Sequence, residues 1–236
     1  MRIAALDDDP ILMELIQASA QHAGHVCHPF HDGAGFLKTL RTETFDLLIV
    51  DWHLPDMSGM EVVRTLRAGL APQMPILFVT RRNAEQDVVE ALSCGADDFM
   101  TKPIRMAELM ARTGALLRRA YPSAAARTLD FGRYRLEPKT RTVHKDGVAI
   151  DLKNKEYDLA LFMFQNAGRL LSREHMRESV WGDVQDVPSR SLDTHVSRLR
   201  SKLALSPENG YVVSAVYGMG YRLDVVSATP PSTGST

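Results

Sequence analysis

The stretch Phe45-Asp46-Leu47-Leu48-Ile49-Val50-Asp51 is an apolar run of strand length that closes on an acidic residue. So short and uniform a run fits a buried strand better than a helix. Comparable runs lie at residues 3–6, 75–79 and 97–100, separated by helical stretches such as 10–22, where Ile11, Leu15 and Ser19 share a face. Repeated strand-then-helix units imply a parallel sheet. With five strands and helices on both faces, polar groups are expected to collect beyond the carboxyl ends of the strands, at the switch point between the first and third.

Those strand ends carry a specific set of side chains: Asp7 and Asp8 after the first, Asp51 after the third, Thr80 after the fourth and Lys102 after the fifth. Three clustered carboxylates repel one another unless a cation is shared, and Mg²⁺ suits a few carboxylates plus retained waters. With the ion in place Asp51 can attack a phosphoryl donor, while Lys102 neutralises the equatorial oxygens. Asp9, just before Pro10, reads as a helix cap. His22, His25, His28 and His31 span a helix end and a strand, so their spacing gives no reason for them to converge on a metal.

A length of 236 residues points to two compact units. Residues 1–126 hold 12 Lys and Arg against 16 Asp and Glu, a net −4, whereas residues 127–236 hold 16 against 13, a net +3. The asymmetry suggests an acidic control half and a half facing nucleic acid. Ala120-Tyr121-Pro122-Ser123-Ala124-Ala125-Ala126 reads as a linker, which places units at 1–119 and 128–226, a linker at 120–127 and a disordered tail at 227–236. Two cysteines, no readable signal peptide and no apolar run of membrane-spanning length lead to the expectation of a cytoplasmic, soluble protein. In the second half, hairpin strands are expected over 129–152, with turns at Glu137-Pro138 and Asp146-Gly147, then helices over roughly 153–203 and a hairpin over 211–225.

Leu6-Asp7-Asp8-Asp9, the run from Val50-Asp51-Trp52-His53 to Met57-Ser58-Gly59, Val79-Thr80, and Gly95-Ala96-Asp97-Asp98-Phe99-Met100-Thr101-Lys102-Pro103 resemble a response-regulator receiver domain. The resemblance implies a flavodoxin-like α/β domain with strand order 2-1-3-4-5. It implies that Asp8, Asp51 and the His53 backbone carbonyl ligate Mg²⁺, with Asp7 acting through water. Thr80 would sense the phosphoryl group, Phe99 would be the aromatic switch, and the Lys102–Pro103 peptide would be cis. It further implies a sensor histidine kinase as partner and a homodimer formed on phosphorylation through Asp97, Asp98, Glu108, Arg112 and Arg119. Three departures stand out: Arg81 where a small residue is usual, Ile104 in place of an aromatic, and Val88 in place of the basic partner of Glu108.

At ~100° per residue, Leu192, Val196, Leu199 and Leu203 fall on one face of a helix over 190–203, and Arg190, Thr194, Ser197, Arg198 and Ser201 fall on the other, flanked by Arg200 and Lys202. Short polar and long cationic groups suit a major groove. Together with Gly168-Arg169-Leu170-Leu171-Ser172-Arg173-Glu174, Val180-Trp181-Gly182 and Gly218-Met219-Gly220-Tyr221-Arg222, this half is similar to the OmpR/PhoB-type α+β winged helix. The similarity implies a recognition helix over 190–203; on it, Arg198 is expected to read bases and Arg200 to hold phosphate. It implies a wing at Gly218/Gly220, where Tyr217 replaces a usual arginine and Arg222 reaches phosphate, and a 181–188 loop that touches RNA polymerase. Tandem half-sites about 10 to 10.5 base pairs apart on double-stranded DNA follow from a dimer.

Two other readings compete with this one. Haloacid-dehalogenase phosphatases also pair an aspartate nucleophile with Mg²⁺, but they carry a second aspartate two residues on, where His53 stands. A protein-binding scaffold without DNA function is disfavoured by Arg198 and Arg200. The expected protein is therefore a phosphorylation-dependent transcription regulator and not an enzyme.

Overall fold

The computed structural model describes residues 1–121, 128–182 and 189–226, and for Ser189 and Arg190 the backbone only. The chain divides into two units, 1–123 and 124–236. The expected linker, apart from Ala120 and Tyr121, the 227–236 tail, most of the 181–188 loop and the Arg190 side chain lie outside the described residues.

In the first unit β1 (Arg2–Leu6), β2 (Val26–Phe30), β3 (Leu47–Val50), β4 (Ile76–Thr80) and β5 (Asp98–Thr101) form a parallel sheet of order β2-β1-β3-β4-β5. The strand expected from residue 45 starts at Leu47; Asp46 precedes it, with its backbone N–H donating to the Arg2 carbonyl at 2.7 Å and its buried carboxylate accepting the Arg2 N–H at 2.6 Å. Helices α1 (Pro10–His22), α2 (Gly33–Thr39), α3 (Gly59–Thr65) and α4 (Glu85–Cys94) connect the strands, and α5 (Met106–Ala120) follows β5. Two apolar layers result. Ile3, Ala5, Ile49, Leu77 and Val79 pack with α1 and α5 on one face, and Ala4, Leu6, Leu48, Val50 and Phe78 pack with α2, α3 and α4 on the other.

Asp9 caps α1 by accepting the Ile11 and Leu12 N–H groups, with Pro10 at the first helical position. The helix buries Met13, Ile16 and Ala20. Ile11 and Leu15 do share a face, but it is turned outward, at 70% and 51% exposure. A chain of 13 residues wound at 3.6 per turn offers only one stripe to the sheet, and the 13/16/20 stripe takes it. The Lys102–Pro103 peptide is cis, as expected.

The second unit opens with an antiparallel sheet of β6 (Leu129–Phe131), β7 (Tyr134–Glu137), β8 (Thr142–Lys145) and β9 (Val148–Ile150). Asp146 and Gly147 both take positive φ, the two-residue loop that matches the twist of a hairpin. Three helices follow, α6 (Asn154–Gln165), α7 (Arg173–Trp181) and α8 (Ser189–Lys202). Between α6 and α7 runs a three-residue strand, β10 (Leu170–Ser172), which adds to the hairpin of β11 (Tyr211–Val216) and β12 (Gly220–Val225) in the order β10-β12-β11. At Gly220 a Cβ would stand 2.1 Å from the Leu171 carbonyl oxygen, so the β10–β12 contact requires glycine. Leu192, Val196 and Leu199 of α8 and Leu203 just after it join Tyr157, Leu159, Met163 and Phe164 of α6 in one buried cluster.

Candidate functional site: an acidic pocket and an exposed helix

Strands β1 and β3 end side by side, so Asp7 and Asp51 face each other with little solvent. The Lys102 ammonium, delivered from beyond β5, donates to Asp7 Oδ2 at 2.6 Å and to Asp51 Oδ2 at 2.7 Å. Burial is the largest influence on Asp7 and raises its pKa above the ordinary carboxylate value, against the pull of Lys102. Burial also works against the Lys102 charge, yet the hydrogen bonds to Asp51 and Asp7 outweigh it and the pKa stands above that of a free lysine. Asp8, exposed at the rim, completes a set of three carboxylates whose oxygens lie within 4.8 Å of one another. Hard, anionic oxygens at this spacing fit a small divalent cation.

Backbone geometry holds the pocket in shape. The Asp51 Oδ1 atom accepts the Trp52 N–H at 2.5 Å, and the Gly59 N–H donates to the Trp52 carbonyl at 2.8 Å. A Cβ on Gly59 would meet the Asp51 carbonyl oxygen at 2.0 Å, so α3 can start this close only with glycine. His53 is exposed and forms an isolated bridge with Ser58. Thr80 is fully buried, and its Oγ1 accepts the Arg82 N–H at 3.3 Å. Phe99 is half-buried against the α3/α4 layer.

Of the residues expected at a dimer face, Asp97 stands just before β5, Asp98 on β5, and Glu108, Arg112 and Arg119 on α5; Asp97, Asp98, Glu108 and Arg112 are already engaged within the chain. Arg112 donates to Asp98 at 3.1 Å and to Glu108 at 2.8 Å. Asp97 accepts from Arg67 and from the Ile76 N–H, both at 2.8 Å. Arg67 was not singled out in the sequence; it also donates to the carbonyls of Gly95, Pro72 and Met74 and ties the α3–β4 connection to the start of β5. Asp56, likewise missed, accepts the Gly33 and Ala34 N–H groups at the start of α2. Those bonds hold its carboxyl below the usual range.

On α8, Thr194, Ser197, Arg198 and Ser201 are exposed opposite the buried leucine stripe. Arg200 and Lys202 are tied into the domain. Arg200 donates to the Val213 carbonyl at 2.7 Å with its guanidinium over Tyr221, and Lys202 donates to buried Glu156 at 2.7 Å and to the Asp151 carbonyl at 2.9 Å. The β11–β12 turn presents Tyr217 fully to solvent, followed by Gly218 at φ +73°. Arg222 pairs with Asp224. A network the sequence did not announce joins α7, α8 and β12: Asp193 accepts from the Tyr221 hydroxyl at 2.6 Å and from Arg173 at 2.8 Å.

A parallel sheet with an acidic pocket at its switch point, followed by a helical unit closed by a hairpin, defines a receiver joined to an output domain. Comparison with known proteins agrees. Residues 3–113 match the response regulator receiver domain, and residues 147–223 match the family described as transcriptional regulatory protein, C terminal. The chain is 37% identical to the response regulator protein PmrA of Pseudomonas aeruginosa over 225 residues, 95% of this chain and 98% of that one. It is 35% identical to the phosphate regulon transcriptional regulatory protein PhoB of Rhizobium meliloti, over 94% of this chain and 98% of that one. The structure of DrrB, a Thermotoga maritima OmpR/PhoB homolog, aligns with 96% of this chain and 99% of its own at 29% identity and a TM-score of 0.47. The chain belongs to the OmpR/PhoB family of two-component response regulators, which are transcription factors. No helix among the described residues is long and apolar enough to cross a membrane.

The Lys102 bridge yields a prediction. Lys102→Met leaves Asp7 and Asp51 opposed without a cation and should destabilise the protein by ~3 kcal/mol, as breaking a buried pair does. In an Asp51→Asn background the same substitution should cost at least ~1 kcal/mol less, because one of the opposed charges is gone. Urea unfolding of the four proteins in metal-free buffer measures this, and equal penalties in both backgrounds would contradict the bridge.

Proposed function

We propose that Asp51 accepts a phosphoryl group from a sensor histidine kinase in a Mg²⁺-dependent reaction, and that the phosphorylated chain dimerises and binds double-stranded DNA through α8 and the β11–β12 wing. The observation that carries this reading is the placement of Lys102 against both Asp7 and Asp51 at 2.6 and 2.7 Å. Asp8, Asp51 and the His53 carbonyl would hold the ion, with Asp7 reaching it through water. A bound Mg²⁺ supplies charge neutralisation for the transferring group.

The chain's own residues do the rest. Asp51 is the nucleophile: the Trp52 N–H fixes its Oδ1, and Oδ2, which Lys102 holds, attacks as Lys102 shifts onto the phosphoryl oxygens. Lys102 keeps its charge because both carboxylates hold the proton on it, so it can follow the developing phosphoryl oxygens. Thr80 donates its hydroxyl to the product and so leaves the Arg82 N–H, and Phe99 follows it inward. The receiver limits are 1–119 and the output limits 128–226. In the dimer Asp98, Glu108 and Arg112 present one connected charged surface, Arg119 adds a cation, and Asp97 must exchange its bond to Arg67 before it can meet a partner. On DNA, Arg198 is the leading base contact, helped by Thr194, Ser197 and Arg190, with Tyr217 and Arg222 at the wing. Arg200 and Lys202 support α8 from within the domain. Tandem half-sites, RNA polymerase contact by the 181–188 loop and a cytoplasmic location complete the proposal.

Two measurements check it. Asp51→Asn should abolish labelling by acetyl phosphate with Mg²⁺ while circular dichroism stays that of the wild type; undiminished labelling would remove Asp51 from its role. In the output unit, Arg198→Ala should relax base preference by ~1 to 3 kcal/mol and leave stability within ~0.5 kcal/mol. Lys202→Ala should instead cost ~1 to 3 kcal/mol of stability, because Glu156 loses its buried partner. The opposite assignment of the two phenotypes in gel-shift and urea titrations would exchange the two roles.

A further inference from the structure

Beside the carboxylate pocket lies a cavity of about 570 Å³ that shares Lys102 with it and carries Arg81 on its wall. Arg81 is exposed and, among the described residues, has no hydrogen bond or ion pair. Ile11 and Leu15, the outward stripe of α1, line the same cavity with Ile104. It therefore joins one uncommitted guanidinium to a small apolar wall, immediately next to the lysine that bridges Asp7 and Asp51, and the one carboxylate in the lining, Asp9, is engaged by the Ile11 and Leu12 N–H groups. An occupant suited to both surfaces has a short apolar tail and a negative end.

We propose that Arg81 makes this receiver selective for phosphoryl donors that leave as carboxylate anions, the small acyl phosphates, over donors that leave through nitrogen. The inference rests on Asp51 being the phosphoacceptor. In the transfer, an Asp51 carboxylate oxygen forms the new bond to phosphorus and the bond from phosphorus to the acyl oxygen breaks. The electron pair of that bond departs on the acyl oxygen as a carboxylate, and no proton moves. Negative charge thus grows on the leaving oxygen as the bond lengthens, where a guanidinium on the cavity wall stabilises it, while the acyl carbon chain rests on Ile11, Leu15 and Ile104. With phosphoramidate the phosphorus–nitrogen bond breaks and the already protonated nitrogen leaves as neutral ammonia. A fixed cation offers that leaving group nothing and opposes the positive charge it carries in the ground state.

Full-length wild type, Arg81→Ala and Arg81→Lys are each phosphorylated with acetyl phosphate and with phosphoramidate in excess Mg²⁺, and the second-order rate constants are read on phosphate-affinity gels. The ratio of the acetyl phosphate constant to the phosphoramidate constant should fall about twofold to fivefold in Arg81→Ala, the range of an exposed charge contact, and recover in Arg81→Lys. A ratio unchanged in Arg81→Ala overturns the inference, whether the two constants move together, as for a steric gate, or stay put. An equal fall in Arg81→Lys also overturns it, since charge would then not be the cause. If wild-type Asp51 takes phosphoryl from neither donor, the phosphoacceptor reading itself fails and this inference falls with it.

Discussion

Two carboxylates held face to face at the ends of adjacent strands would repel one another, and the pocket exists because a third strand end brings an ammonium between them. Lys102 spans 51 residues of sequence to reach Asp51 and 95 to reach Asp7. That reach is possible only because β5 lies two strands from β3 with β4 between, in a sheet whose strands all point the same way. The arrangement is stable and charged at once: burial raises Asp7 and the ion pair restrains it, while Lys102 stays protonated. A group that later adds negative charge between these residues meets a cation already in position, so little reorganisation is needed when it arrives.

From there the fold offers two routes outward. One passes through Thr80, whose hydroxyl is tied to the Arg82 N–H at the start of the β4–α4 connection. The Arg82 guanidinium lies 4.5 Å over Trp52, next to Asp51, and pairs with Asp87 in the first turn of α4. The other passes through β5, where Asp98 and Arg112 couple the strand to α5. Both end on the α4–β5–α5 face, where Val89 and Leu92 are exposed. A change at the pocket thus has a physical path to a surface without involving the sheet's core, whose close packing resists small displacements.

Much of this was legible in the sequence, because uniform apolar runs ending in Asp, Thr or Lys specify both a buried strand and what stands at its end. The α8 stripe was equally plain, since 192/196/199/203 is a helical period with one apolar face. What the sequence did not disclose were partnerships across long separations. A helical wheel gives the direction of Arg200 and Lys202 but not the Val213 carbonyl or Glu156 that hold them. Nor does it reveal that Arg67 occupies Asp97, 30 residues away. The three-residue β10 escaped notice because so short a strand carries no periodicity and is defined by pairing with β12. The direction of Ile11 and Leu15 was misleading for a related reason: an apolar pair marks a face, and only the packing of Met13 and Ile16 says which face meets the sheet.

The central claim is that chemistry at Asp51 governs DNA binding by a helix in the other unit. It is tested most directly by fluorescence anisotropy with an operator fragment selected from genomic DNA, at one fixed salt concentration, with and without beryllofluoride and Mg²⁺ as a phosphoryl mimic. The account predicts that the mimic tightens binding by the wild type and does nothing for Asp51→Asn; equal affinities with and without it in the wild type would contradict the account.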